Sequence, residues 1–298
     1  MIRRACLAAL LTLSVSTAFG ASTYDHLYAF GDSYSDNGAG EALTTRLTAQ
    51  KVKGAQALPG PLYWKGRWSN GPTAVEGLAQ ALKTPLTDYA VGGAKSGHGN
   101  YYTWMMPTQD TGLLGQVAEH LQAAKSHKAD PKALYFIFIS ANDFFEWADF
   151  SHPESIEALS ESSLANIRSA TEQLVAAGAR HVMVVGTTDL SHVPAVVQGN
   201  HVDNAKKYQQ LLAQKLPSVL AQIGVAKVTY FDHLAFSDAL RANPQANGFT
   251  DLDAPCQPTY PEVKPVCANA DAHYYWDEWH PTREVHALAA KAMLKALP

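Results

Sequence analysis

Leu27-Tyr28-Ala29-Phe30-Gly31-Asp32-Ser33 is a short apolar run that stops on a glycine, an acid and a serine. Residues 27–30 do not alternate polar with apolar, as a strand with one wet face would. A run of this kind suits a strand buried on both faces, as in a parallel sheet. The pattern recurs down the chain. Residues 133–139 end at Ser140-Ala141-Asn142-Asp143, residues 181–185 at Gly186-Thr187 and residues 226–231 at Asp232, with a weaker run over 86–91. Amphipathic spacing between these runs predicts helices over about 72–83, 111–127, 154–178, 202–223 and 282–297, with Pro72 and Pro281 where helix starts tolerate proline. Alternating strands and helices imply right-handed crossovers and a mostly parallel, doubly wound sheet covered on both faces, an α/β/α sandwich. Chemistry in such sheets collects beyond the carboxyl ends of the strands. Ser33 and Asn142, each directly after a strand, are therefore expected on one rim.

The first twenty residues stand apart. Arg3 and Arg4 precede an apolar stretch over 5–15, and Ala18-Phe19-Gly20 places small residues at −3 and −1. This reads as a secretory signal over 1–20 cleaved before Ala21, leaving one domain over 21–298. The apolar stretch is shorter than the ~20 residues of a membrane span, and no later segment is long and apolar enough to be one. Without Arg3 and Arg4 the chain has 21 basic against 27 acidic residues, a mild acidity that argues against nucleic acid as partner. Two cysteines remain, Cys256 and Cys267, amid Pro255, Pro258, Pro261 and Pro265. In an oxidising compartment such a pair is expected as a disulfide, with two free thiols as the alternative. The protein is expected to be exported, to the periplasm or beyond. Residues 51–71 and 95–110 resist regular assignment, and their aromatic content argues against disorder.

Ester hydrolysis needs a nucleophile, a base, a group that orients the base and donors for the oxyanion. Ser33, at a strand-to-helix junction with its N–H near a positive helix end, is a candidate nucleophile; it reads equally as a helix N-cap. A phosphate loop is disfavoured by the missing Gly-Lys-Ser/Thr ending. In Asp277-Glu278-Trp279-His280-Pro281, three-residue spacing lets Asp277 reach back to the imidazole, whereas Glu278 points elsewhere. Alone, such a pair is also what a surface ion pair or a helix cap looks like. Taken jointly, Gly31-Asp32-Ser33, Tyr89-Ala90-Val91-Gly92-Gly93-Ala94, Ser140-Ala141-Asn142-Asp143 and Asp277-x-x-His280-Pro281 form four ordered blocks that resemble the GDSL/SGNH hydrolases. The resemblance implies a flavodoxin-like three-layer fold, a Ser33–His280–Asp277 triad and an acyl-enzyme intermediate. It also implies an oxyanion hole of the Ser33 N–H, a glycine N–H and the Asn142 amide. Gly93 is preferred to Gly92, because the family's glycine falls five residues after a polar position, here Asp88. Ser140 stands where many members carry Gly, and Asp88 where many carry Asn.

Gly66-Arg67-Trp68-Ser69-Asn70-Gly71-Pro72 resembles a segment of the secreted bacterial lipolytic branch, whose members include phospholipase-, lecithinase- and choline-esterase-like enzymes. Trp64, Trp68, Tyr101, Trp104, Trp147 and Trp279 are candidate substrate-binding residues. Aromatic faces can hold a quaternary ammonium, or they simply pack loops onto the sheet. The substrate is expected to be a small-molecule or lipid ester with a lipid-derived, short or choline moiety, handled by a monomer. A carbohydrate O-acyl esterase and a catalytically silent binding module are the alternatives. His98 and His273 lack metal-ligand spacing, so neither metal nor cofactor is expected. An imidazole base must be neutral, so activity should fall in acid.

Overall fold

The computed structural model describes residues 24–106, 108–224 and 226–298; the expected signal over 1–20 lies outside them. In chain order the elements are β1 Leu27–Gly31, α1 Ala39–Ala49, α2 Ala74–Leu82, β2 Leu86–Asp88, α3 Leu113–Ala123, β3 Leu134–Phe138, α4 Ala141–Asp149, α5 Ile156–Ala177, β4 His181–Val185, α6 Pro194–Gln198, α7 Val202–Ala221, β5 Lys227–Phe231, α8 His233–Ala242, β6 Asp251–Pro255, β7 His273–Tyr275 and α9 Arg283–Ala296. The main sheet runs β2-β1-β3-β4-β5 with every neighbouring pair parallel. This is the doubly wound flavodoxin-like order, whose switch point lies between β1 and β3.

The unalternating runs are explained by what covers them. Phe30, Tyr135, Ile137 and Val184 face a core completed by Leu113 and Val117 of α3, Leu174 of α5 and Leu212 of α7. On the opposite face Leu27, Ala29, Phe136, Phe138 and Met183 meet Val75 and Leu78 of α2 and Ala289 and Met293 of α9. Both sides of β1, β3 and β4 are largely dry, so nearly every position in them is apolar, whereas the edge strands β2 and β5 are only partly covered and carry Thr87, Asp88, Lys227 and Thr229. No helix among the described residues is long and apolar enough to cross a membrane.

Several boundaries differ from expectation. The strand over 86–91 is regular only to Asp88, although the amides of Tyr89 and Val91 still donate to Ala29 O and Gly31 O. The helix over 111–127 ends at Ala123, before a tight turn with Ser126 at φ 59°. Ser33 does not open a helix. It sits in a turn closed by the amides of Ser35 and Asp36 on Asp32 O, and α1 begins only after Gly38. A positive helix end at Ser33 and an N-cap role for it both fall with that observation. A small second sheet pairs β6 with β7 in parallel. Between its strands Cys256 and Cys267 are disulfide-bonded, and the amides of Cys256 and Gln257 donate to Tyr275 O and Trp276 O.

Candidate active site

Three turns meet at the rim beyond β1 and β3, held together by buried carboxylates. Asp36, fully buried, accepts from Gly38 N at 2.9 Å and Gly40 N at 3.1 Å, and reaches across to Gly92 N at 2.8 Å. The Gly92 N–H is therefore engaged, while Gly93 takes a left-handed φ of +83°. Side-chain Asn100 Nδ2 fixes Gly92 O at 3.0 Å, and the Gly93 carbonyl accepts from Tyr101 N at 2.8 Å. Asn142, in the first turn of α4, donates to Ala94 O at 3.0 Å, and Asp143 accepts from Ser96 N at 2.9 Å and Ser96 Oγ at 2.7 Å. Burial pushes Asp143 up to about 6, against the Ser96 bonds, and Asp32 up to about 7, against the Tyr34 amide and the neighbouring His280. Asp88 is driven well above the carboxylate range by burial, with one oxygen on Ala90 N and the other buried without a partner. A neutral carboxyl there leaves the turn closed by the same bond an Asn would make.

The fourth segment comes from the far end of the chain. Residues 276–280 form a turn closed by Trp276 N on His280 O at 2.7 Å, directly ahead of α9. Asp277 is fully buried inside it; its Oδ1 accepts from the amides of Trp279 at 2.8 Å and His280 at 2.6 Å. Its Oδ2 lies 2.8 Å from His280 Nδ1. His280 Nε2 in turn lies 2.9 Å from Ser33 Oγ. The structure thus brings Ser33, His280 and Asp277 into one hydrogen-bonded line, and stitches Gly93 and Asn142 to the turn beside them. Such a line can move a hydroxyl proton onto an imidazole while a buried carboxylate holds the ring's other nitrogen. Glu278 does point away: buried, it accepts from Thr259 N at 2.9 Å and Thr259 Oγ1 at 2.6 Å in the disulfide-closed loop.

The aromatic candidates separate into groups. Trp68 is buried with its ring 5.2 Å from that of His280, and Tyr102, Tyr101 and Trp104 continue the aromatic series outward. Trp64 lies under the cations of Lys65 and Arg67. Trp147 stacks on Phe144 and donates to Glu154 O at 2.8 Å, and Trp279 meets Tyr260. Three supporting contacts escaped the sequence reading. Gln116 of α3 clamps both peptide groups of Gly31 at 2.8 Å each, Asn100 fixes Gly92, and Tyr63 donates to Asp277 Oδ2 at 2.6 Å.

The family described as GDSL-like Lipase/Acylhydrolase matches residues 27–293, nearly the whole described chain. The chain belongs to that family. Among curated GDSL and related proteins it is similar to a thermolabile hemolysin of Vibrio parahaemolyticus, 26% identical with 90% of this chain and 62% of that protein covered. It is similar as well to a phosphatidylcholine-sterol acyltransferase of Aeromonas hydrophila, 26% identical over 84% of this chain and 71% of that protein. An acetylesterase of Thermothelomyces thermophilus is 28% identical, with 91% of this chain and 87% of that protein covered. The chain thus spans about three-fifths of the hemolysin's length. Membership among GDSL esterases and lipases supports carboxylic ester hydrolysis as the chemistry of this site.

Proposed function

We propose that this protein is an exported serine esterase in which Ser33 attacks the ester carbonyl, His280 takes its proton and Asp277 fixes the imidazole. One observation carries the reading: Ser33 Oγ and His280 Nε2, 247 residues apart in sequence, lie 2.9 Å apart in an orientation that leaves Nδ1 on Asp277. In this reading the Ser33 N–H, the Gly93 N–H and the Asn142 amide hold the oxyanion. Gly93 is preferred because the Gly92 N–H already serves Asp36. The alcohol leaves with the proton from His280, and water then releases the acyl group from Ser33 by the same base. Loss of one oxyanion donor, as in Asn142→Ala, should cost on the order of 10²–10³ in turnover.

The disulfide supports export, since such bonds persist in oxidising compartments. The proposed organisation is a cleaved signal over 1–20 and one hydrolase domain over 21–298. For the substrate, a hemolysin and a phosphatidylcholine-sterol acyltransferase among the relatives favour lipid acyl esters. The aromatic series from His280 through Trp68 to Tyr102 suits a choline-bearing head group by cation–π attraction. The acetylesterase relative favours a second reading, short-acyl esters including acetylated carbohydrate.

A fluorophosphonate probe tests the nucleophile: adduct on Ser33, absent in Ser33→Ala, is expected, and an unlabelled wild-type protein would remove the esterase mechanism. Lysophosphatidylcholine, p-nitrophenyl acetate and acetylated xylan, compared by kcat/KM, separate the substrate readings. Preference for acetylated xylan would overturn the lipid assignment.

A further inference from the structure

We propose that Tyr63 is a positioning residue of this esterase, a fourth member of the proton-transfer line that holds Asp277 as an oriented carboxylate through Oδ2, the oxygen that also faces His280 Nδ1. The inference rests on the triad assignment of the preceding section. A carboxylate with no solvent contact must have its lone pairs satisfied by protein donors or it gives up its charge. Within its own turn Asp277 receives two amides on Oδ1 and the imidazole. The remaining hydrogen bond on Oδ2 comes from the Tyr63 hydroxyl, 214 residues away in sequence, at 2.6 Å. A bond that short from a hydroxyl to a carboxylate is of the charge-assisted kind.

The phenol is well placed to stay a donor. Burial, and after it the Asp277 charge, pushes its pKa far above the ordinary tyrosine value, so it keeps its proton wherever the chain is folded. Its ring lies 5.9 Å from that of Trp68, which itself packs against His280. The Thr259 hydroxyl, bonded to Glu278, lies beside the phenol. The segment that carries Tyr63 is laced to the catalytic turn beyond this contact. Ser69 Oγ donates to Pro281 O at 2.7 Å, Arg283 N donates to Asn70 Oδ1 at 2.7 Å, and Ala74 N donates to His286 Nδ1 at 3.2 Å. Residues 63–74 therefore form a strap along the turn that bears Asp277 and His280, with Tyr63 at the point where it touches the acid. With Oδ2 held by the phenol and Oδ1 by two amides, the carboxylate cannot rotate away from Nδ1 when the imidazole becomes charged.

Tyr63→Phe removes the hydroxyl and keeps the ring on Trp68. Loss of a hydrogen bond to a charged group predicts a kcat lower by roughly ten- to a hundredfold, with KM changed by less than about twofold. The downfield proton resonance of the His280 Nδ1–H, read by NMR, should move in the same variant. In an Asp277→Asn background the further change Tyr63→Phe should have almost no effect on kcat, since the two act through one bond. Wild-type kcat and an unmoved resonance in Tyr63→Phe would reduce Tyr63 to loop packing. An undiminished effect in the Asp277→Asn background would place its action elsewhere, and either result overturns the proposal. Ser33→Ala distinguishes this from failure of the esterase reading: an inactive Ser33→Ala beside a fully active Tyr63→Phe leaves the triad standing without its fourth member. Should Tyr63→Phe fold poorly, Tyr63→Leu keeps an apolar side chain there without any donor and is read in the same way.

Discussion

At the scale of single residues, the site depends on positions where one atom more or one charge more is decisive. Gly93 has φ +83°, and a Cβ there would run into Asn100 Oδ1 and come within 2.8 Å of the Tyr102 ring. The left-handed conformation alone costs an L side chain roughly 1–2 kcal/mol. Gly93→Ala should therefore lower the unfolding free energy by more than that and displace the peptide whose N–H is the proposed oxyanion donor. Denaturant unfolding and kcat, measured together, check it; a variant with both unchanged would disconnect Gly93 from the site. Asp32 gives a prediction of sign. Its folded pKa of about 7 lies above the ~3.9 of an unfolded Asp, so the folded state binds the proton more tightly. Stability from this group is fully present below about pH 4 and is lost as pH rises through 7. Asp32→Asn, which keeps the acceptor for Tyr34 N, should gain stability relative to wild type between pH 5 and pH 8. A constant difference across that range would mean that Asp32 ionises normally.

At the scale of elements, the parallel strands were readable because burial on both faces leaves an unmistakable apolar run, and the helices between them because each has one dry face. The elements that were not readable lack those marks. The first helix, α1, starts behind Gly38 in a left-handed conformation, with no Ser, Thr, Asp or Asn cap to announce it. Helix α4 begins behind Ser140 at φ 116°, so Ser140-Ala141-Asn142-Asp143 reads as a turn. The Ser33, Asp277 and His280 positions were legible as local motifs. Tyr63, Gln116 and Asn100 were not, since their partners lie 214, 85 and 8 residues away and no local spacing encodes the contact. The disulfide loop adds a prediction here. Its residues 256 and 257 hydrogen-bond alongside 275 and 276, and Thr259 holds Glu278 inside the turn that carries Asp277. Opening a ring whose two cysteines are 11 positions apart should cost about 3 kcal/mol by the chain-entropy estimate. The double variant Cys256→Ser, Cys267→Ser should have a lower thermal midpoint and a lower kcat than wild type. A lower midpoint with unchanged kcat would limit the bridge to stability alone.

At the scale of the whole molecule, the charges hidden on folding set how the protein meets acid. Besides His280, three imidazoles among the described residues are buried, on both sides of the main sheet. On one side His120 of α3 lies against the rings of Tyr28, Phe30, Tyr89 and Tyr135. On the other, His233 of α8 lies against Phe138 and Phe236, and His286 of α9 lies near Tyr34 while accepting from Ala74 N. Burial depresses them to about 4, about 4 and about 3 respectively. Each folded value lies below the ~6.5 of an unfolded His, so on acidification the unfolded chain takes up protons that the folded chain refuses. Their contribution is fully present above pH 6.5 and is lost as pH falls from there towards 4. Asp32 and Asp143, raised to about 7 and about 6, act in the opposite direction over much of the same window. The net acid response of the wild type is thus a difference, and a single substitution can unmask one side of it. His120→Phe is the cleanest, because His120 Nε2 is buried without a hydrogen-bond partner and Nδ1 has only a 3.3 Å contact with the Tyr89 hydroxyl. A phenyl ring keeps the aromatic packing and cannot charge, so the loss of thermal midpoint between pH 7 and pH 5 should be smaller in His120→Phe than in wild type. Turnover at pH 7 should stay the same, since His120 touches none of the Ser33–His280–Asp277 line. Equal losses of midpoint in the two proteins would mean that the unfolded chain gains no protons at this position, and the acid sensitivity would then belong to His233 and His286 instead.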